Sequence, residues 1–160
     1  MVITPIVNDG RINRSKTTLN KIVAATISLL RKNNNGQIPT AQEIAVKSGV
    51  GIRTVFRHID DMEGLIEEVN RRYLNDLESY IAKNNPKQNS KDQRIEHVIK
   101  ERFYLYNTYQ HVFNLTITSL NNSNAIRTGF IKFNHILRQR FEDLIPEIKM
   151  INKDKQNLID

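Results

Sequence analysis

IPTAQEIAVKSGVGIRTVFRHIDDMEGL, residues 38–65, contains the start and stop signals of two short helices. Thr40 and Glu43 have the spacing of a capping box, in which each side chain bonds to the backbone amide of the other residue. This box predicts that the first short helix begins after Thr40, and Gly49 predicts its end, since glycine tolerates the left-handed conformation there. A second short helix is predicted over 52–59. Two short helices joined by a tight, glycine-containing turn are typical of a helix-turn-helix unit.

Helical periodicity surrounds this stretch on both sides. Before it, apolar residues recur every three or four positions behind Ser15, the predicted N-cap, and after it a similar stripe covers 61–83 behind Asp61. Further helices are predicted after a second capping box at Ser90, over 112–120, and up to Pro146. No stretch alternates apolar and polar residues over the length of a strand. The sequence therefore predicts an all-α protein with about seven helices.

The basic charge of the chain is concentrated near its amino end. The formal net charge is +7, and residues 1–60 contain nine Lys and Arg against three Asp and Glu, whereas residues 61–160 contain fifteen against fourteen. A short basic segment on a nearly neutral body is typical of a protein that binds a polyanion. A surface that only keeps the protein in solution is the alternative interpretation.

Several functional classes lack their characteristic residues. The chain has no cysteine, which excludes disulfide scaffolds, thiolate zinc sites and cysteine nucleophiles. No apolar run reaches the roughly 18 residues of a membrane span, and residues 1–14 contain no apolar signal-peptide core, so we expect a cytoplasmic protein that does not enter a membrane. The four histidines lack metal-ligand spacing and no glycine-rich phosphate loop occurs. We therefore expect no metal, no cofactor and no enzymatic activity.

Residues 38–65, with KIVAATISLL (21–30) before them, resemble the tetracycline-repressor (TetR) family of bacterial transcriptional regulators. The matching pattern is a capping threonine, Ala-x-x-x-Gly-Val, Thr-Val-Phe-x-His-Ile, and a leucine six residues after that isoleucine. The resemblance implies a flexible arm over 1–14, a three-helix helix-turn-helix DNA-binding domain over 15–60, and a helical effector-binding and dimerisation domain over 61–160. It also implies a ligand-responsive repressor that acts as a homodimer on a pseudo-palindromic operator in double-stranded DNA and responds to an unknown small-molecule effector.

The family's two final dimerisation helices have no counterpart in this sequence. The chain ends about where the first of them would begin. We therefore expect that the carboxyl end is truncated and the sequence is a fragment; dimerisation by another route is the alternative.

The resemblance also implies which residues contact DNA: Lys16, Thr40, Gly51, Arg53, Thr54, Phe56, Arg57 and His58. This chain departs from the family pattern at three positions, where Phe56 replaces a common tyrosine, Met62 a common lysine, and Gly51 a common serine or threonine cap. Asp60 and Asp61 add negative charge nearby. These departures favour a second hypothesis, a helical ligand-binding or protein-interaction module whose helix-turn-helix is no longer used on DNA.

Aromatic residues of the second half could line a ligand pocket between helices. The helix behind Ser90 is predicted to have one apolar face with Ile95, Val98, Ile99, Arg102, Phe103 and Tyr106. The candidate ligand-binding residues are Arg102, Phe103, Tyr106, Tyr109, Phe113 and Phe130. An aromatic stripe at helical spacing also fits an ordinary core. Arg102 on an apolar face could meet an acidic ligand or mark the edge of the stripe.

Overall fold

Six complete α-helices lie within residues 10–58, 62–86 and 90–148, the part of the chain that the computed structural model describes. They are α1 (Gly10–Asn33), α2 (Ala41–Ser48), α3 (Ile52–His58), α4 (Met62–Lys83), α5 (Lys91–Ser119) and α6 (Asn124–Leu144). These ranges contain no strand, so the fold is all-α as the sequence predicted. Within them, no helix combines the length and the apolar content that crossing a bilayer requires.

The capping signals around α2 and α5 form as predicted. The Thr40 hydroxyl accepts from the Glu43 amide at 3.3 Å, and Glu43 Oε2 accepts from the Thr40 amide at 2.8 Å. Gly49 ends α2 with φ of 67° and ψ of 17°, a left-handed conformation that costs most residues with a Cβ about 1–2 kcal/mol. The second capping box joins Ser90 and Gln93. Such local signals determine helix boundaries because both partners are close in sequence.

Two predicted helix boundaries are wrong. The first helix begins at Gly10 rather than after Ser15, so the arm predicted over 1–14 is helical from residue 10 onward. Residues 12–15 of this extra turn are exposed and form no apolar stripe that would reveal the helix from the sequence. Thr17 and Thr18 donate to carbonyl oxygens one turn back, at 2.8 and 2.9 Å. The stretch 112–120 is not a separate helix, because α5 continues through it across a kink at Tyr109 (φ −111°, ψ 18°). Asp61, the predicted N-cap, lies outside the described residues.

One continuous apolar core joins the short helices to the rest of the chain. Ile22 of α1, Ile44 of α2 and Val55 of α3 are all completely buried, and they belong to the same cluster as residues of α4, α5 and α6. The inner stripe of α4 connects the two ends of this cluster through Leu65, Ile66, Val69, Tyr73 and Leu77. Helix α4 therefore serves as a wall of both halves of the fold.

The buried face of α5 is not the predicted one. Val98 is buried as predicted, but the other buried residues include Glu101, Leu105 and Tyr109, and four members of the predicted apolar face, Ile95, Ile99, Phe103 and Tyr106, are exposed. Helix α5 turns the carboxylate of Glu101 inward because Arg140 of α6 meets it there, with Nε and Nη2 at 3.3 and 3.2 Å from Oε2. Arg140 also donates to the Asn84 carbonyl, so the pair holds α5, α6 and the segment after α4 together.

Glu101→Gln should strongly destabilise the fold, because it leaves the buried Arg140 guanidinium without its counter-charge. We expect the free energy of unfolding, measured by urea titration, to fall by about 3–5 kcal/mol. Glu142→Gln is the matched control, since Glu142 pairs with the exposed Arg138 at 3.1 Å, and such a surface pair contributes at most about 1 kcal/mol. Equal losses for the two variants would contradict a stabilising role for the buried pair.

Candidate nucleic-acid interface and ligand cavity

Helices α2 and α3 both pack against α1 and are joined by the three residues 49–51. The side chains beneath them are small or apolar: Ile44 and Val55 are completely buried and Ala45 is 8% exposed. Val50 is half-buried in the connection, and Ile59, also predicted in this core, lies outside the described residues. Packing on this side leaves the opposite face of α3 to the solvent.

The exposed face of α3 alternates apolar and cationic side chains. Ile52 and Phe56 are 38% and 60% exposed and lie one turn apart, and Arg53 and Arg57 are exposed with the same spacing. Thr54 and His58 are half-buried at the edge of this face. We call Ile52, Arg53, Phe56 and Arg57 the α3 face.

Gly51 provides the start of α3 without a capping side chain. Its carbonyl accepts from the amides of Thr54 and Val55 at 2.8 and 3.0 Å, so Gly51 holds the N-cap position. A Cβ at Gly51 would meet no atom within 4 Å. The described residues therefore leave room for a serine or threonine side chain at this position, and they give no steric reason for glycine.

The beginning of α1 lies beside the end of α3. Arg14, Ser15 and Thr18 of α1 and Arg57 and His58 of α3 line one shallow groove. Lys16, the α1 residue predicted to contact DNA, is exposed but does not line this groove. Two helices far apart in the sequence thus bring two arginines and a histidine to one surface.

A carboxylate already occupies the start of α2, where the resemblance implies a phosphate contact at Thr40. The Thr40 hydroxyl donates to Glu43 Oε2 at 2.8 Å, and the Thr40 amide donates to the same oxygen. These bonds from the Thr40 backbone and side chain lower the pKa of Glu43, which keeps the carboxylate charged. The hydroxyl and the backbone amide of Thr40 are therefore both used within the capping box.

A small, predominantly apolar cavity lies between α4, α5 and α6. Its volume is about 40 Å³, and its lining consists of Asn70, Tyr73, Leu74, Tyr109, Val112, Phe113, Leu115, Thr116, Ile126, Gly129, Phe130 and Phe133. Phe133 meets both Tyr109 and Phe113 edge to face, with ring centroids 6.0 and 5.8 Å apart. Not one of the twelve lining residues carries a charge.

The structure brings together three of the six predicted ligand-binding residues. Tyr109, Phe113 and Phe130 line this cavity. Phe103 and Tyr106 do not, because α5 turns them outward, where they are 70% and 53% exposed. Arg102 is also outside the cavity lining: its Nη2 donates to the Leu137 carbonyl at 2.6 Å, so the guanidinium links α5 to α6.

A buried polar pair behind the cavity was missed by the sequence reasoning. Tyr73, which lines the cavity, forms a 2.7 Å hydrogen bond between its hydroxyl and His111 Nε2, and His111 is only 6% exposed. Burial, with a smaller repulsion from Arg31, lowers the pKa of His111 to about 4. Burial also raises the pKa of Tyr73. Both groups are therefore neutral at pH 7, and no local spacing relates two residues that lie on different helices.

Possible metal ligands do not cluster in the described ranges. They hold no group of three or more His, Asp or Glu side chains arranged to bind a metal ion. His97 and Glu101, four residues apart on α5, are an ordinary side-chain pair with 3.4 Å between Nε2 and Oε2. Comparison of the chain with protein-family models, with curated proteins and with solved structures found no match.

The free energy of unfolding should fall as the pH falls from about 6.5 to about 4. In this range His111 binds a proton in the unfolded state but stays neutral in the folded state, where its pKa is lower. This contribution is absent above pH 6.5 and amounts to at most about 3 kcal/mol at pH 4. Urea titrations across this range check it. His111→Gln should flatten the dependence, whereas His135→Gln, at an exposed histidine, should not. An unchanged slope in His111→Gln would assign the dependence to other groups.

Proposed function

We propose that this protein is a DNA-binding transcriptional regulator in which α1, α2 and α3 form a helix-turn-helix unit. The observation that carries this proposal is the α3 face: two arginines and two apolar side chains point to solvent while Val55 holds the other side of the helix in the core. In a helix-turn-helix unit the second helix enters the major groove and the first crosses the backbone. Helices α3 and α2 would take these roles.

The side chains of the α3 face suit a base-paired major groove. An arginine can donate two hydrogen bonds to guanine O6 and N7, and an apolar side chain can contact the thymine methyl group. Phe56 lacks the phosphate-binding hydroxyl of tyrosine, but its exposed ring provides an apolar surface of that kind. Arg14 and Arg57 beside one groove supply charge for the phosphate backbone, which dominates affinity in such complexes.

The same features support a second candidate function. Glu43 places a negative charge at the start of α2, and the exposed Phe56 could equally contact a protein partner. A helical interaction or ligand-binding module that no longer uses its helix-turn-helix on DNA is therefore the alternative. The two functions differ in their response to salt, because counterion release makes DNA binding steeply salt-dependent.

Regulation under this proposal requires a homodimer and a small-molecule effector. Two copies would place their α3 helices in successive major grooves of a pseudo-palindromic operator. The cavity between α4, α5 and α6 is the candidate effector site, and α4 connects it to the short helices. An effector changes DNA affinity only if it binds one spacing of the two α3 helices better than another.

Arg57→Ala should weaken binding to duplex DNA and reduce its salt dependence. Fluorescence anisotropy at several salt concentrations measures both quantities, and we expect the slope of log K against log salt to fall by about one per guanidinium removed, hence about two for a dimer. Arg138→Ala removes an equal charge from an exposed position of α6 and serves as the control. Absence of binding by the unmodified protein at low salt, with a normal thermal transition, would favour the interaction module.

Glu43→Gln should strengthen binding to DNA. Glutamine can still complete the capping box, so α2 keeps its start, while the negative charge beside the expected phosphate position disappears. We expect a tighter complex in the same anisotropy assay and a melting temperature within a few degrees of the parent. Glu96→Gln, at an exposed glutamate of α5, is the matched control for net charge. If the two variants gain affinity equally, the start of α2 does not approach a phosphate.

A further inference from the structure

We infer that the cavity between α4, α5 and α6 binds an uncharged aromatic molecule with one hydrogen-bond donor, and that this molecule enters between α4 and α6. The proposed function gives this binding its regulatory meaning, whereas the binding itself needs no DNA. Three observations carry the inference: the chemistry of the lining, an acceptor oxygen on Asn70 that no described residue uses, and three residues that line both the cavity and an outer groove.

The lining excludes a charged ligand. Its polar members are two tyrosines, Asn70 and Thr116, and no lysine, arginine, histidine, aspartate or glutamate belongs to it. An ion buried without a partner loses its hydration and gains nothing in return. The perpendicular rings of Tyr109, Phe113 and Phe133 offer both faces and edges, the surfaces that another aromatic ring packs against most favourably.

Asn70 supplies the unused acceptor. Its Nδ2 donates to the Ala125 carbonyl at 2.8 Å, which fixes the amide against the start of α6. Its Oδ1 accepts no hydrogen bond from the described part of the chain. Because Asn70 lines both the cavity and the neighbouring groove, this oxygen can accept from a hydroxyl or N–H group of a ligand at that boundary, so a neutral donor is favoured over an acceptor.

The entrance lies where the cavity and a groove on the surface share a wall. Asn70, Leu74 and Gly129 line both the cavity and this groove, whose other members include Glu67, Arg71 and Lys132. Gly129 allows α6 to approach α4 closely, since the Cβ of any other residue would overlap the Asn70 amide. Asn70, Leu74 and Gly129 are therefore the residues that the cavity and the groove share.

The cavity must expand to take a ring. Its volume of about 40 Å³ is well below the roughly 150 Å³ of an apolar cavity that accommodates benzene. Separation of α4 and α6 at Gly129 enlarges it toward the neighbouring groove, whose charged members Glu67, Arg71 and Lys132 are not part of the cavity lining. Binding therefore favours a conformation in which these two helices lie further apart.

Three probes of similar shape and different charge test the inference: benzyl alcohol, benzoate and benzylammonium. Titrations followed by NMR of the isoleucine methyl groups report both affinity and location. We expect benzyl alcohol to shift the Ile126 methyl, which lines the cavity, and to bind at least about tenfold more tightly than either ion. Benzoate or benzylammonium binding as tightly as the alcohol, or a shift confined to the exposed Ile99 methyl, would overturn the inference.

Variants of the lining separate cavity binding from adsorption to the surface. Val112→Phe fills the cavity and should weaken benzyl alcohol binding at least about tenfold, whereas Phe103→Ala, at an exposed ring of α5, should leave it unchanged. Phe133→Ala enlarges the cavity and should raise the affinity for 2-naphthalenemethanol relative to benzyl alcohol, which decides the matter even if Val112→Phe fails to fold. No change in either lining variant would refute the inference. All these readouts are independent of DNA, so a failure to bind duplex leaves them interpretable.

Discussion

The burial of one stripe of α4 is the constraint on which the rest of the structure depends. Leu65, Val69, Tyr73 and Leu77 are at most 4% exposed, and they contact a cluster that extends from the short helices to α5 and α6. Burying such side chains contributes about 1.5–3 kcal/mol each. A shift of either half of the chain relative to α4 exposes part of this stripe, so α4 relates the α3 face to the cavity.

The amino-terminal part has a basic excess, but it also carries a carboxylate at the surface where an anion is expected to bind. The basic excess of residues 1–60 does reach the surface, with Arg53 and Arg57 on α3 and Arg14 at the adjoining groove. Against it stands Glu43, whose carboxylate both completes the capping box and occupies the start of α2. One residue thus stabilises the helix and competes with the anion that the helix start would otherwise attract. Under the proposed function, this competition limits affinity and makes Glu43 a site at which affinity can be adjusted.

How much the sequence could predict depended on the distance between interacting residues. The two capping boxes and Gly49 involve neighbours in the chain, and they correctly gave the bounds of α2 and the start of α5. The orientation of α5 depended instead on Arg140, 39 residues away from Glu101, and the prediction that placed Phe103 inward was wrong for that reason. Helical periodicity indicates that a face is apolar, but a buried ion pair can select another face.

Residues 34–40, which connect α1 to α2, also link the cavity to the short helices, in addition to α4. Asn114 Nδ2 donates to the Asn34 carbonyl at 3.1 Å, and the Thr118 hydroxyl donates to the Gly36 carbonyl. Gly36 has φ of 72°, and a Cβ there would overlap the Asn114 carbonyl, so the connection sits directly on α5.

The two bonding residues of α5 flank Leu115 and Thr116, which line the cavity. Under the proposed function, a ligand that displaced this part of α5, just beyond the kink at Tyr109, would act on the end of α1 as well as on α4. Because α1 also lies beside α3 at its other end, a tilt of α1 caused by such a displacement would change the position of Arg14 relative to Arg57. Under the proposed function, the effector would thereby alter the same surface that meets the phosphate backbone.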